Sequence, residues 1–525
     1  MPRRRRRFAA AVVVPLVLSC AVVLQADEPD AGVASSFDLS GWLDVEFGRI
    51  WSAAGVEVSR CDDATFLRRI YLDLQGRIPS VTETREFLEA ADDEKRAHAV
   101  DQLIIDDESS AKNNELHAEH LARIWRRIMI PAGTANPQMG RQFEPWLEQQ
   151  FRDNAPYDEL ARRLLTAQGA EATDAATYYA AVGGKPENYA SEFTRVFLGA
   201  RIGCAQCHDH PFTDWKQQDF WGVAAFFAGT ALPEDQAFQG GALTEQHKTT
   251  INFEGTEYAA TYLRGEQAEI PKTKLPREVL ARWMTSSDSG DFAATAVNRV
   301  WQHLCGRGLV ADVDNLDLAT SEQRGNILDH LAQKFADSGY DLRWLMSGIC
   351  RSRVYQAPTV GPDEAEASPL AGRRPLKTLT PEQMFDSLEQ ALMLPVTRSN
   401  VESARHNGTR DQMVARLDES VSSSPEEYGA GIPQVLMLMN GRLTADATSL
   451  DRSRTLKAVI DAPFLDRSSK VETLYLATFT RLPTEKEKTF MLDYVQQRPT
   501  AAEQRVAFSE IFWALLNSPE FVLSR

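Results

Sequence analysis

Cys204-Ala205-Gln206-Cys207-His208 is the densest chemistry in this chain. Two thiols two residues apart, followed at once by an imidazole, fit covalent haem attachment. Each thiol adds across a vinyl group, and His208 reaches iron from the same side. From the chain's own residue frequencies, such a run arises by chance in about one in a thousand sequences of this length. The spacing therefore asks for a chemical reason. Other chemistries share it. A structural zinc site on the cysteine pair would need Cys305, Cys350 or His210 to complete it, and a divalent metal ion could instead use the turn His208-Asp209-His210, with Asp214 nearby and His120 as a further candidate. A redox dithiol would use the same sulfurs, although its usual βαβ context is missing. A plain Cys204–Cys207 disulfide is the fourth reading, in which Asp209 orients an imidazole and His210 caps the helix that follows. His117 and His120 add an imidazole pair at i and i+3 of one helix face.

The elements that must position these groups read as helix after helix. Phe66, Leu67, Ile70, Tyr71 and Leu74 recur at helical spacing, and Gly76 to Pro79 ends that helix. Ser80 with Glu83 then forms a capping box for the next. Residues 117–130, 143–151, 157–167, 189–198 and 215–227 continue the pattern, as do 276–284, 292–304, 322–335, 342–351 and 381–394. Helices return at 434–439, 471–480, 485–496 and 501–516. Residues 231–275 break the habit, because 249–253 and 257–263 alternate like a short hairpin around Glu254-Gly255. Residues 357–375 read as an exposed linker and 396–431 as a mobile polar stretch. Shifted by 404 positions, Tyr71, Arg77, Pro79, Ser80, Glu83 and Leu88 meet Tyr475, Arg481, Pro483, Thr484, Glu487 and Leu492. Both stretches encode helix, Pro-bearing turn, capped helix.

Composition sets the outer bounds. With 525 residues, 43% hydrophobic and 25% charged, the chain is an ordinary globular protein of two to four domains. Arg3 to Arg7 followed by an apolar run to Leu24 reads as a secretory signal peptide over 1–26, which predicts a periplasmic, cell-surface or secreted setting. No other stretch is apolar enough to span a membrane. The net charge of −17 becomes about −22 once those five arginines are removed, and so acidic a surface repels nucleic acid. Of the six cysteines, losing Cys20 leaves an odd five.

The chain resembles the exported planctomycete-type proteins in which a cytochrome-like PSCyt domain precedes a PSD domain, both of unknown function. The resemblance lies in RRIYLDLQGRIPS at 68–80, HLARIW at 120–125, FRDNAPYDELARRLL at 151–165 and, above all, FLGARIGCAQCHDHPFTDWKQQDFWGVAAFF at 197–227. In the second half it lies in NRVWQHLCGRGLV at 298–310, DLRWLMSGICRSRVYQ at 341–356 and ALLNSPEFVLSR at 514–525. It implies an exported setting and a c-type haem, with motif residues at Cys204, Cys207, His208, His210 and His120. An aromatic residue commonly follows the histidine of the HLARIW stretch in that family, and Leu121 stands there here.

The reading is a mainly α, multi-helical protein of two domains, 38–240 and 276–525, joined through a small β-hairpin region at 241–275. Its expected role is a haem c electron-transfer or redox module with an unidentified redox partner. A divalent-metal protein, in the form of a hydrolase, and a cell-surface scaffold are the alternatives. Haem attachment requires both sulfurs and His208 to face one apolar space, with Phe197, Phe212, Trp215 and Phe226 as walls. A second iron ligand is expected from His120, with Met437 or Met439 in reserve.

Overall fold

A computed structural model describes residues 36–104, 111–130, 137–168, 175–232, 243–286, 291–318, 321–360, 374–393, 410, 412, 414 and 448–524. The signal segment 1–26, the stretch 396–409 and residues 415–439, with Met437 and Met439, lie outside them. Helices dominate: α1 (Ser36–Ala54), α2 (Asp63–Gln75), α3 (Val81–Glu89), α4 (Lys95–Ile104), α5 (Ala111–Met129), α6 (Pro137–Arg152), α7 (Tyr157–Leu165), α8 (Ala176–Ala181), α9 (Pro186–Leu198) and α10 (Gln217–Ala225). They continue as α11 (Pro276–Met284), α12 (Phe292–Cys305), α13 (Ser321–Asp337), α14 (Leu342–Arg351), α15 (Pro381–Leu392), α16 (Arg454–Ile460), α17 (Arg467–Phe479), α18 (Glu485–Gln496) and α19 (Ala501–Leu516). The protein is mainly α, as the periodicity predicts.

Local codes set many boundaries. Asp62 accepts from the Thr65 N–H and starts α2, and Gly76 ends it in the left-handed region at φ 71°. Ser80 and Glu83 form the expected reciprocal capping box on α3. The expected hairpin is present as β3 (Thr250–Phe253) and β4 (Thr256–Ala259), antiparallel with Phe253 opposite Thr256. Its two turn residues, Glu254 and Gly255, have φ of 49° and 84°, as a tight two-residue connection requires. Two-residue strands also pair elsewhere: β1 (Thr230–Ala231) with β2 (Thr244–Glu245), β5 (Thr359–Val360) with β6 (Arg374–Pro375), and β7 (Lys377–Thr378) with β8 (Leu523–Ser524). The last two pairs lie outside 231–275, and strands so short leave no alternation to read. The ends of the 357–375 stretch are tied down through β5 and β6, and Ala357 and Arg374 are buried.

Ser35–Arg525 forms one compact unit. Its main core runs from Leu39 to Ala357 and takes side chains from both sides of the 231–275 region. A second core joins Leu72 and Ile78 of the early chain to residues 379–522. The main core is aromatic at its centre. Phe193 of α9 stacks against Phe197 and Phe227, and Tyr157 meets Phe197, Phe292 and Phe335. Burying each such ring contributes about 1.5–3 kcal/mol, so the inner face of α9 is rigidly held. That rigidity matters because the cysteine motif follows directly on this helix.

Candidate functional site

Gly199 closes α9 at φ 56°, a conformation that costs glycine nothing. A side chain there would also meet Leu316 and Thr295 at 2.9 Å, and the Leu316 N–H donates to the Gly199 carbonyl at 2.7 Å. The chain leaves α9 at a fixed point and enters a 3₁₀ turn, Gly203–Gln206. Ala205 is buried at the turn's centre, and Cys204, Cys207 and His208 are exposed around it. Helix α10 clamps the turn from behind. Trp221 Nε1 donates to the Gln206 carbonyl at 3.0 Å, and Gln217 Nε2 donates to the carbonyls of Gln206 and Cys207 at 3.2 and 3.1 Å. Trp221 is itself fixed by stacking on Phe253 of the hairpin at 4.2 Å. The β-hairpin thus buttresses the helix that buttresses the motif.

The two histidines of the motif are in opposite hydrogen-bonding states. His208 Nδ1 lies 2.7 Å from the Asp209 backbone carbonyl, which can only accept, so Nδ1 carries the proton. The Nε2 lone pair of His208 is then free to bind a metal, the arrangement a ligating imidazole adopts. His210 Nδ1 instead accepts from the Phe212 and Thr213 N–H groups at 3.2 and 3.1 Å, so its proton sits on Nε2. His210 closes a turn and has no free lone pair. Asp209 Oδ1 accepts from the Gln217 N–H at 3.0 Å, at the start of α10. Cys204 and Cys207 are both free thiols. Among the described residues, no group of three or more His, Cys, Asp or Glu side chains is arranged to hold a metal ion. Two free thiols and one lone-pair imidazole on one short turn fit a c-type haem.

The expected apolar walls do not gather at the motif. Phe197 lies in the aromatic core, Phe226 stacks on Tyr262, and Trp215 donates to Asp317 at 2.7 Å beneath the Arg264 guanidinium. Phe212 is 84% exposed. A cleft of about 600 Å³ does open beside the turn, lined by Gln206 and by residues at the start of α9, among them Lys185, Asn188 and Ser191.

His120 is buried elsewhere. Its ring lies 5.7 Å from that of His303 and against Gly76, and its other electrostatic neighbours are His117, Arg123 and Asp73. No residue of 204–210 is among these neighbours. His117 Nδ1 donates to the Leu74 carbonyl at 2.8 Å and His303 Nε2 to that of Asp73 at 2.7 Å. Burial pushes both imidazoles down to about 4, and His120 falls well below its ordinary value for the same reason.

Asp73, which the sequence reading passed over, anchors this region. It is fully buried and meets Arg374 at 2.7 Å, Lys377 at 2.8 Å and the Tyr355 hydroxyl at 2.8 Å. Burial alone would raise its pKa, but the two cations hold it well below the usual carboxylate range. Cys305 and Cys350 are electrostatic neighbours of the same carboxylate, and burial raises both thiols, Cys305 to about 12. The available signal was an acidic residue set between Leu72 and Leu74, close to Ile70 and Tyr71, on a helix that reads as core.

Residues 47–231 match PSCyt2, a protein family of unknown function (DUF1549), and residues 276–423 match PSD1, a second of unknown function (DUF1553). The chain belongs to the two-domain PSCyt–PSD type, with the domains in the order its motifs imply. No curated protein and no solved structure matches it. Among the described residues, no helix is long and apolar enough to cross a membrane.

Proposed function

We propose that this chain carries haem c on Cys204 and Cys207, with His208 as an iron ligand, and acts as an exported electron-transfer module. The observation that carries the reading is the opposite state of two neighbouring imidazoles. His208 spends its proton on a backbone carbonyl and keeps Nε2 free, whereas His210 does the reverse. In attachment each thiol proton goes to one vinyl carbon and the sulfur bonds the other, so no outside oxidant is needed. When bound, haem supplies a one-electron carrier whose potential responds to its surroundings. This chain's own part is to hold the turn rigid: Ala205 pins it from within and Trp221 and Gln217 clamp its carbonyls. Because both thiols and His208 are exposed, the cofactor would sit at the surface, which suits exchange with a redox partner. The segment 1–26 supports an exported setting, testable by sequencing the mature N-terminus for cleavage after Ala26.

The chain expressed with a c-type maturation system should retain haem through denaturing extraction and give a two-thioether pyridine haemochrome. Replacing both Cys204 and Cys207 with Ser should abolish retention. His208→Ala should shift the Soret band, and His210→Ala should leave it in place. A wild-type chain that emerges colourless from this treatment sinks the proposal.

A further inference from the structure

Three imidazoles that the haem reading leaves unused meet at the C-terminal end of α2. His117 and His120 of α5 are buried there, and the His303 ring of α12 lies 5.7 Å from that of His120. A short strap, residues 374–378, crosses the same place and leads into the second core. Arg374 and Lys377 reach Asp73 of α2, Lys377 also donates to the His303 carbonyl at 2.6 Å, and Thr378 pairs with Leu523. Just beyond the strap, Gln383 of α15 donates to the Leu72 carbonyl at 2.8 Å. Leu72 and Ile78 are the early-chain members of the second core. The seam between α2 and that core is thus held largely by charges and hydrogen bonds, the composition of an interface that can part.

From this juxtaposition of imidazoles and strap, we infer an acid-operated latch: when the imidazoles gain protons, the strap lets go of α2 and the second core comes free of it, with the helices of the main core intact. The inference does not depend on the haem reading. Three observations support it. First, the imidazoles have no acceptor for a second proton. His117 already donates Nδ1–H to the Leu74 carbonyl, and the Nε2 atoms of His117 and His120 are buried without a hydrogen-bond partner among the described residues. A proton added at either makes a buried N–H with nothing to receive it and a charge away from water. Second, the charged groups around them are mostly cations already. Arg343 of α14 faces His117, Arg123 of α5 faces His120, and Arg374 and Lys377 face His303. Asp73 faces His120 and His303 but already serves both strap cations, and Arg123 takes up Glu119 and Asp386. New positive charge at the imidazoles therefore pushes on the strap. Third, the direction of the linkage is fixed. His117 and His303 sit near 4 and His120 well below its ordinary value, whereas an imidazole released to water returns to about 6.5. Falling pH thus favours the open form from about 6.5 downwards. Asp73 is held well below the usual carboxylate range and keeps its charge meanwhile, so the histidines work the latch.

Hydrogen exchange of the full chain, read by mass spectrometry and corrected for the intrinsic effect of pH, tests the latch. Amides in 374–392 should exchange at least about 30-fold faster at pH 5 than at pH 7, the factor that one imidazole moving between about 4 and 6.5 supplies. Amides of α9 should keep their protection, and far-UV circular dichroism should stay the same. His303→Gln retains a side-chain N–H for the Asp73 carbonyl but takes no proton, and it should cut the pH effect several-fold. His120→Gln should cut it as well. Equal protection of 374–392 at the two pH values overturns the latch. So does its loss together with that of α9, which is general acid unfolding. A pH effect of full size in both variants places the titration elsewhere and overturns it too.

Discussion

At residues 63–89 and again at 467–496, a helix stops on a left-handed residue and an arginine turns back onto a glutamate. Arg77 grips Glu83 with both terminal nitrogens at 3.1 and 2.9 Å, and Arg481 grips Glu487 at 2.9 and 2.8 Å. Each guanidinium also donates to the next carbonyl and lies over a tyrosine, Tyr71 or Tyr475. Each glutamate closes a capping box, with Ser80 or Thr484. The two units touch, since Arg85 reaches Thr473 and Arg68 reaches the Thr478 carbonyl. They differ in what fills the preceding helix. The first has Asp73, Gly76 and Ile78 where the second has Ala477, Thr480 and Leu482. Ile78 is buried and Leu482 is 53% exposed. The Arg–Glu turn is thus sufficient to build the motif, and the charged centre at Asp73 is an addition that only the first unit carries.

Breaking that addition should produce the largest effect. Asp73→Asn leaves Arg374 and Lys377 without their shared anion and should cost about 3–5 kcal/mol in a urea titration. Ala477→Gly in the second unit, which removes one methyl and adds helix flexibility, should cost about 1 kcal/mol. Equal costs would erase the distinction between the units.

Acid should divide them next. His117 and His303 have folded pKa values of about 4, below the ordinary 6.5, so the unfolded chain binds their protons first. Their contribution is complete above about pH 6.5 and drains away as pH falls towards 4, by on the order of 1–2 kcal/mol per histidine at pH 5. The Glu83 and Glu487 carboxyls, both lowered to about 2, contribute above about pH 4.5 and lose it only as pH falls towards 2. Urea midpoints at pH 7 and 5 should therefore differ in wild type and differ less in His303→Gln. A flat profile between those pH values would remove the buried imidazoles from the account.

Gly76 gives a smaller contrast. A methyl there would fall 2.4 Å from His120 Nδ1 at φ 71°. Gly76→Ala should cost more than about 1 kcal/mol, and His120→Ala should relieve part of it in a double-mutant cycle. Thr480 already occupies the same conformation at φ 63°, so Thr480→Gly should cost less. Last come the caps: Ser80→Ala and Thr484→Ala should each cost about 1 kcal/mol, alike in both units.

The parts legible in the sequence are those written locally. The Ser80–Glu83 box, the Gly76 stop, the hairpin at Glu254-Gly255 and the Cys204–His208 spacing each depend on residues a few positions apart. The charged centre was invisible because Asp73 meets Arg374 and Lys377 across 301 and 304 positions. The apolar walls expected from Phe197 and Phe226 failed for a related reason. Nearness in sequence placed them beside the motif, but the α9 and α10 faces that carry them turn into the core. The states of His208 and His210 follow from backbone geometry, which residue spacing does not encode.

Arg68 of α2 donates to the Phe521 carbonyl at 2.7 Å, 453 positions later in the chain. On a ribosome this separation becomes an interval of time. At ~5–20 residues per second, α2 exists for roughly 25–90 s before its acceptor does. During that interval Leu72 and Ile78 lack the partners of the second core they belong to, which residues 379–522 complete. The second core can therefore close only after residues 379–522 have been made, long after the helix that contributes Leu72.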